Sequence, residues 1–157
     1  MVQRGVGLLA LLAAIGAIFG IIAGIALYIF FAFSLYSLAK SRNVDMPWLA
    51  WIPIAQMYII GKLVKSIRIS NVEIPSLEIV LPVAMLAYIL LNSIPVLGLI
   101  ISLAFLVLLI LSLYELYRQY TPENAVVYTV LSVFVIPVPI LFLKLSKMEP
   151  VNNQQEY

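Results

Sequence analysis

Few side chains in this sequence are able to do chemistry, and two absences narrow the choice at once. The chain contains no cysteine and no histidine. That removes thiol nucleophiles, disulfides and iron–sulfur ligation, and with them the commonest general base and transition-metal ligand. What remains are carboxylates, lysines, hydroxyls and amides. Glu115 and Arg118 stand three positions apart, which on a helix puts them on one face as an ion pair. Glu78 opens an apolar segment and reads as an interfacial anchor. Asp45 and Glu123 lie outside the apolar runs, and no two carboxylates are spaced to form an acid–base dyad. Ser34, Ser102 and Ser132 have no histidine to activate them, and nothing positions a lysine beside them. Gln56 follows Pro53 by three residues. Proline removes an amide donor and frees a carbonyl. Gln56 can cap such a group, or face water if the segment lines a cavity. Gln56, Tyr58, Glu115 and Arg118 are therefore the candidates for a polar, pore or partner site. Asn92 reads as a turn residue.

The elements that must position these residues follow from composition. Of 157 residues, 64% are hydrophobic and 10% charged. A soluble domain has about 25% charged residues, so there is no polar shell for a water-facing surface. The expectation is an integral membrane protein. Lipid then permits helices or a closed barrel. The apolar runs are continuous and lack the alternation of barrel strands, so an all-α, polytopic helical membrane bundle is expected. The net charge of +2 is too small to argue for nucleic acid. No residue set implies a cofactor or a metal.

Gly5–Ala39 carries no charge and far exceeds the roughly 20 residues that span a bilayer. It is read as a retained span rather than a cleaved signal peptide, whose apolar core is shorter. As one helix it would be about 50 Å long, so it must tilt or extend past the bilayer near its aromatic stretch "YIFFAFSLY". Gly16, Gly20 and Gly24 recur every fourth residue on one face. Small residues so spaced allow close helix approach, either to a partner or to another helix of the chain. "PWLAWIPIAQMYII" is short for a span and broken by Pro53. Trp48, Trp51 and Tyr58 suit an interfacial belt. The tryptophans with Lys62, Lys65 and Arg68 are candidates for anionic headgroup contacts. The stretch from Gly61 to Glu78 is read as a polar, partly helical linker. Ile79–Tyr114 is uncharged but contains "LNSIPVLG", a turn signal, which splits it into spans near Ser76–Leu91 and Val96–Tyr117. The last apolar segment, 124–143, contains "IPVP" and reads either as a crossing or as a re-entrant helix. Residues 1–147 form a single integral membrane domain, with 148–157 as a flexible polar tail.

"LYSLAK" at 35–40 resembles "LYELYR" at 113–118. Each is followed by a loop, an Ile-Pro segment and a lysine, so an internal duplication is one reading and coincidence the other. Orientation follows the Lys/Arg bias of short loops. With the N-terminus outside and both Ile-Pro segments returning to the side they left, eight of the nine basic residues share the cytoplasmic side. The expectation is three spans plus one or two short or re-entrant, proline-broken helices, the alternative being four or five full spans. The loop 62–75 is cytoplasmic in this scheme.

Trp48, Ile52, Pro53, Ile54, Tyr58 and Lys62, with either Trp48 or Trp51 in the tryptophan position, form a W-x-x-x-IPI-x-x-x-Y-x-x-x-K-like stretch. Together with "LYSLAK" and "NSIPVLGLII" it resembles a family of small bacterial multi-pass membrane proteins without an assigned activity, some fused to signal-peptidase-like proteins. The resemblance covers 35–143, and implies a bacterial plasma-membrane protein but transfers no catalytic residue. The expected role is non-enzymatic: an accessory or packing subunit or homo-oligomeric scaffold, in contact with membrane lipid and with its own kind or a membrane partner. The alternatives are a small transporter or channel with its site in 47–62, and a membrane enzyme acting on lipid or peptide.

Overall fold

A computed structural model describes residues 2–69 and 72–151, which are mostly helical, with one short hairpin. Helix α1 runs Val2–Ser41, about 60 Å at 1.5 Å per residue, with no proline to interrupt it. Lys40 lies in its last turn, and Asn43 at φ 51° follows the helix end. The helix has two unlike parts. Every residue of Ala10–Leu27 is exposed, whereas Ala32, Ser34, Leu35, Leu38 and Ala39 are buried. The aromatics of the lower part divide in the same way. Phe31 and Tyr36 pack against the core, and Phe33 faces out.

The chain next runs back alongside α1 as irregular backbone, ending in a 3-10 turn at Pro47–Trp51. Its height is set by a hydrogen bond: the Tyr28 hydroxyl donates to the Trp51 carbonyl at 2.5 Å. Tyr28 stands thirteen positions before Ser41, so the chain has climbed about 20 Å. Helix α2 (Pro53–Val64) then descends. Proline at its first position fits, because that amide has no intrahelical acceptor. At its lower end, the Gln119 side chain donates to the Val64 carbonyl at 3.3 Å, and Arg42 donates to Gln119 at 3.3 Å. The segment therefore returns to the level from which it started.

The linker from Gly61 to Glu78 is helical at its ends, which belong to α2 and to the next helix, but its middle is extended. It forms an antiparallel pair, β1 (Ile67–Ile69) and β2 (Val72–Ile74), with Arg68 opposite Glu73. The alternation in Ile-Arg-Ile and Val-Glu-Ile is the period of a strand. Helix α3 (Leu77–Leu91) climbs against α2. The contact is closest at Gly61, where a Cβ would overlap the Leu77 carbonyl group and the Glu78 amide. Asn92–Ile94 turn the chain into α4 (Pro95–Tyr120), as the turn signal requires. Tyr88 stacks on Phe105 across this helical pair, centroids 5.8 Å apart. The α4 stretch and Ala10–Ser41 of α1 are each long and apolar enough to cross a membrane; α2 and α3 are shorter apolar helices.

A 3-10 turn at Pro122–Asn124 leads into α5 (Ala125–Ser132), and after a tight turn α6 (Pro137–Leu145) comes back. Val135 at the tip has φ 62°, an unusual conformation for a β-branched residue. Phe142 of α6 lies 5.7 Å from Phe31 of α1 and 6.5 Å from Tyr117 of α4. These contacts join the last hairpin to the first helix. The core sits where all the returning elements meet. It includes Leu35, Leu38, Ile59, Ile60, Leu63, Leu77, Leu81, Leu116, Tyr117, Phe142 and Leu145. The upper parts of α1, α3 and α4 carry exposed Ile, Leu, Val and Phe instead. Of the expected tail, Met148 packs on the core and Pro150 is buried; residues 152–157 lie outside the described residues.

Candidate functional site

Charge divides this molecule along its length. Lys40, Arg42, Lys62, Lys65, Arg68, Arg118, Lys144 and Lys147 belong to helix ends or loops at the end where the core lies. Arg4 stands at the far end of α1. The two proline-broken segments leave this charged end and come back to it, and each creates a site worth weighing.

The first site lies at their tips. Tyr28 and Phe31 of α1, Gln56 and Met57 of α2, and Val135 and Pro139 of the last hairpin line a cavity of about 280 Å³. Gln56 is 6% exposed, and its Nε2 donates to the Ala50 carbonyl at 2.9 Å. This is the capping role that a glutamine after a helix-opening proline can take. The climb is bonded along its backbone only in part, by the Leu49 amide to the Met46 carbonyl and the Ile52 amide to the Leu49 carbonyl, so its other carbonyls need side-chain donors. Gln56 supplies one and Tyr28 another. Sequence alone placed Gln56 here but gave no reason to choose Tyr28, whose partner is 23 positions away.

The second site is at the charged end, where α1, α2 and α4 all terminate. A chain of side-chain contacts ties them: Arg42 to Gln119, and Gln119 to the Val64 carbonyl. The Arg42 guanidinium carbon sits 5.3 Å from the centre of the Tyr120 ring. Two cavities, of about 250 and 200 Å³, adjoin Arg42. Arg42, Gln119 and Tyr120 were not singled out by sequence reasoning. Their proximity depends on tertiary convergence across 77 positions, which leaves no local signal.

The other expected residues scatter. Glu115 and Arg118 do pair, at 3.3 Å, with Arg118 half exposed. Tyr58 of α2 packs half-buried against the core, with the Lys62 ammonium 5.6 Å from its ring centre. Gln56 and Glu115 line different cavities. Trp48 and Trp51 are exposed, with Trp51 at the upper tip, while Lys62 and Lys65 are at the lower end. Arg68 is engaged with Glu73 across the hairpin at 3.0 Å; this hydrogen bond holds the Glu73 carboxyl below its ordinary pKa. The tryptophans and the three basic residues thus do not form one site. Gly16, Gly20 and Gly24 have nothing within 4 Å of the positions a Cβ would take, so no other described part of the chain packs there.

The hydroxyls are occupied as helix residues usually are. Ser34, Ser102, Ser112 and Ser132 donate to carbonyls three or four residues back. Among the described residues, no three carboxylates gather into a metal-binding group. Comparison with known proteins returned no match: no family model, no curated protein and no solved structure aligns with this chain.

Proposed function

We propose that the chain is a non-enzymatic, multi-pass plasma-membrane protein that serves as a packing partner, either for a second copy of itself or for another membrane protein. The observation that carries this reading is the upper half of α1. It is an 18-residue apolar window with 0% buried, it contains a stripe of three glycines, and no other described part of the chain covers that stripe. In lipid, helix association is driven by close packing, which small residues permit.

The same reading takes α1, α3 and α4 as spans and treats 43–64 and 122–145 as re-entrant. The N-terminus is then outside and the charged end cytoplasmic, in line with the bias of basic residues. The exposed aliphatic side chains of the upper helices support lipid contact, since a monomer in water rarely shows so extended an apolar surface. Transport through the tip cavity is the weaker reading. Its lining is mostly apolar, and its one central amide is committed to the Ala50 carbonyl. An enzyme acting on lipid or peptide has the least support, because the serines are tied to their own helices.

Disulfide crosslinking tests the packing reading. Gly20→Cys in this cysteine-free chain is expected to give a homodimer, or a single co-purifying adduct, in native membranes. Gly16→Leu in the same background should abolish it. A monomer without adducts at every α1 position tested would overturn the reading.

A further inference from the structure

Three cations converge on the cavities at the charged end, and general helix chemistry does not account for them. Arg42 and Lys65 border both cavities; Lys62 borders the smaller, and Ser66, Gln119 and Glu115 the larger. Helix C-termini attract cations, because their last carbonyls are unpaired and carry partial negative charge. A lysine in the last turn can also bond those carbonyls directly. Among the described residues neither lysine ammonium does so, and the Val64 carbonyl is taken by Gln119.

Arg42 is the least satisfied of the three. Its Nη2 donates to Gln119, but its Nη1 is closed to solvent and has no hydrogen-bond partner among the described residues. The Tyr120 hydroxyl lies beside the same guanidinium and is likewise closed to solvent. The Tyr120 ring centre lies 5.3 Å from the guanidinium carbon, and of the in-plane donors Nη2 is taken by Gln119. A buried donor without a partner is costly, by about 1–3 kcal/mol.

Lys65 adds an independent observation. Its backbone sits at φ 70°, ψ −64°, at the centre of a rare, strained γ-turn closed by Ser66 N–H to the Val64 carbonyl at 3.0 Å. The strain is held from both sides: Lys65 donates to the Gly61 carbonyl at 2.8 Å and accepts from the Leu77 amide at 3.2 Å. Held strain of this kind gathers at binding sites. Its consequence is that Lys65 borders both cavities next to Arg42. The one carboxylate at the rim, Glu115, is engaged by Arg118.

We infer that Arg42, Lys62 and Lys65, which border the two adjoining cavities, form a binding site for a phosphate group. The phosphate belongs either to an anionic phospholipid headgroup or to a soluble phosphate. The site does not depend on the packing role of α1.

The test uses the full chain in mild detergent, with native mass spectrometry and thermal melting. Three ligands are compared: dioleoyl phosphatidylglycerol, dioleoyl phosphatidylcholine and inorganic phosphate. A bound adduct and a raised melting temperature with phosphatidylglycerol alone identify a headgroup site. The same response with inorganic phosphate identifies a soluble ligand. Arg42→Gln should weaken binding about tenfold or more, while Lys147→Gln should change it less than about twofold. Lys65→Gly separates folding from binding, because it relieves the strained turn and removes the cation. It should hold or raise the ligand-free melting temperature and still lose affinity. Binding that does not distinguish phosphatidylglycerol or phosphate from phosphatidylcholine, or that Lys147→Gln weakens as much as Arg42→Gln, overturns the proposal.

Discussion

The two proline-broken segments share a sequence plan but not a mechanism. Each follows a long helix, begins with a proline-led 3-10 turn, passes Ile-Pro, and returns as a helix with a lysine in its last turn. The outward legs differ. Residues 43–52 climb as irregular backbone and a single 3-10 turn; α5 climbs as an α-helix. A helix satisfies its own amides and carbonyls, so α5 needs little help from side chains. The irregular leg needs donors from elsewhere, and Gln56 and Tyr28 provide them. The returning legs differ as well. Gly61 brings α2 against the backbone of α3, whereas α6 packs through the larger Val138, Leu141 and Phe142. Equal sequence grammar thus yields two loops of unequal dependence on particular residues.

The sharpest break should come at Gly61. Gly61→Val is expected to cost about 3 kcal/mol or more, because the obstacle is backbone that does not move aside. Unfolding in mixed micelles with added SDS would show this. Gly20→Ala should shift the same curve by less than about 1 kcal/mol, toward greater stability. Next comes Gln56→Leu, which leaves the Ala50 carbonyl without its donor and should cost about 1–3 kcal/mol. The matching change in the second segment is Tyr117→Phe. It removes a 2.7 Å hydroxyl pair with Ser132, but Ser132 keeps its bond to the Tyr128 carbonyl. A cost of about 1 kcal/mol is expected. Should Tyr117→Phe prove as damaging as Gln56→Leu, the contrast between the outward legs is wrong.

The smallest effect belongs to the hairpin between them. Arg68 holds the Glu73 carboxyl below its ordinary pKa. A carboxyl so lowered contributes fully above the unfolded value, and its contribution is lost as pH falls through the folded one. Acid titration should therefore release the pair only below the ordinary carboxylate range. Because both groups are solvent-exposed and such pairs are weak, the melting temperature should not move measurably on Glu73→Gln.

Much of this architecture was legible from local chemistry. Asn92, Ser93 and Pro95 mark the α3–α4 turn because no helix continues through them. Pro53 and the Ile-Pro at 136–137 were legible as breaks, and each proline stands at the first position of a helix, where its missing amide is harmless. The hairpin was misread because three-residue strands give too short a run for alternation to outweigh the surrounding polar residues. The γ-turn at Lys65 was invisible, since nothing in lysine favours positive φ; tertiary contacts impose it. Arg42 and Gln119 were missed for a related reason. An arginine after a long apolar helix looks like an ordinary topological signal, and only the meeting of three helix ends gives it neighbours.

The central claim is that both proline-broken segments return to the side they leave. The cysteine-free chain allows a direct measurement with a membrane-impermeant maleimide. Ser66→Cys, Ser146→Cys and Ser93→Cys variants are labelled in right-side-out and inverted vesicles. Positions 66 and 146 should label from the same side, in inverted vesicles, and position 93 from the other. Labelling of 66 and 146 from opposite sides would contradict the account.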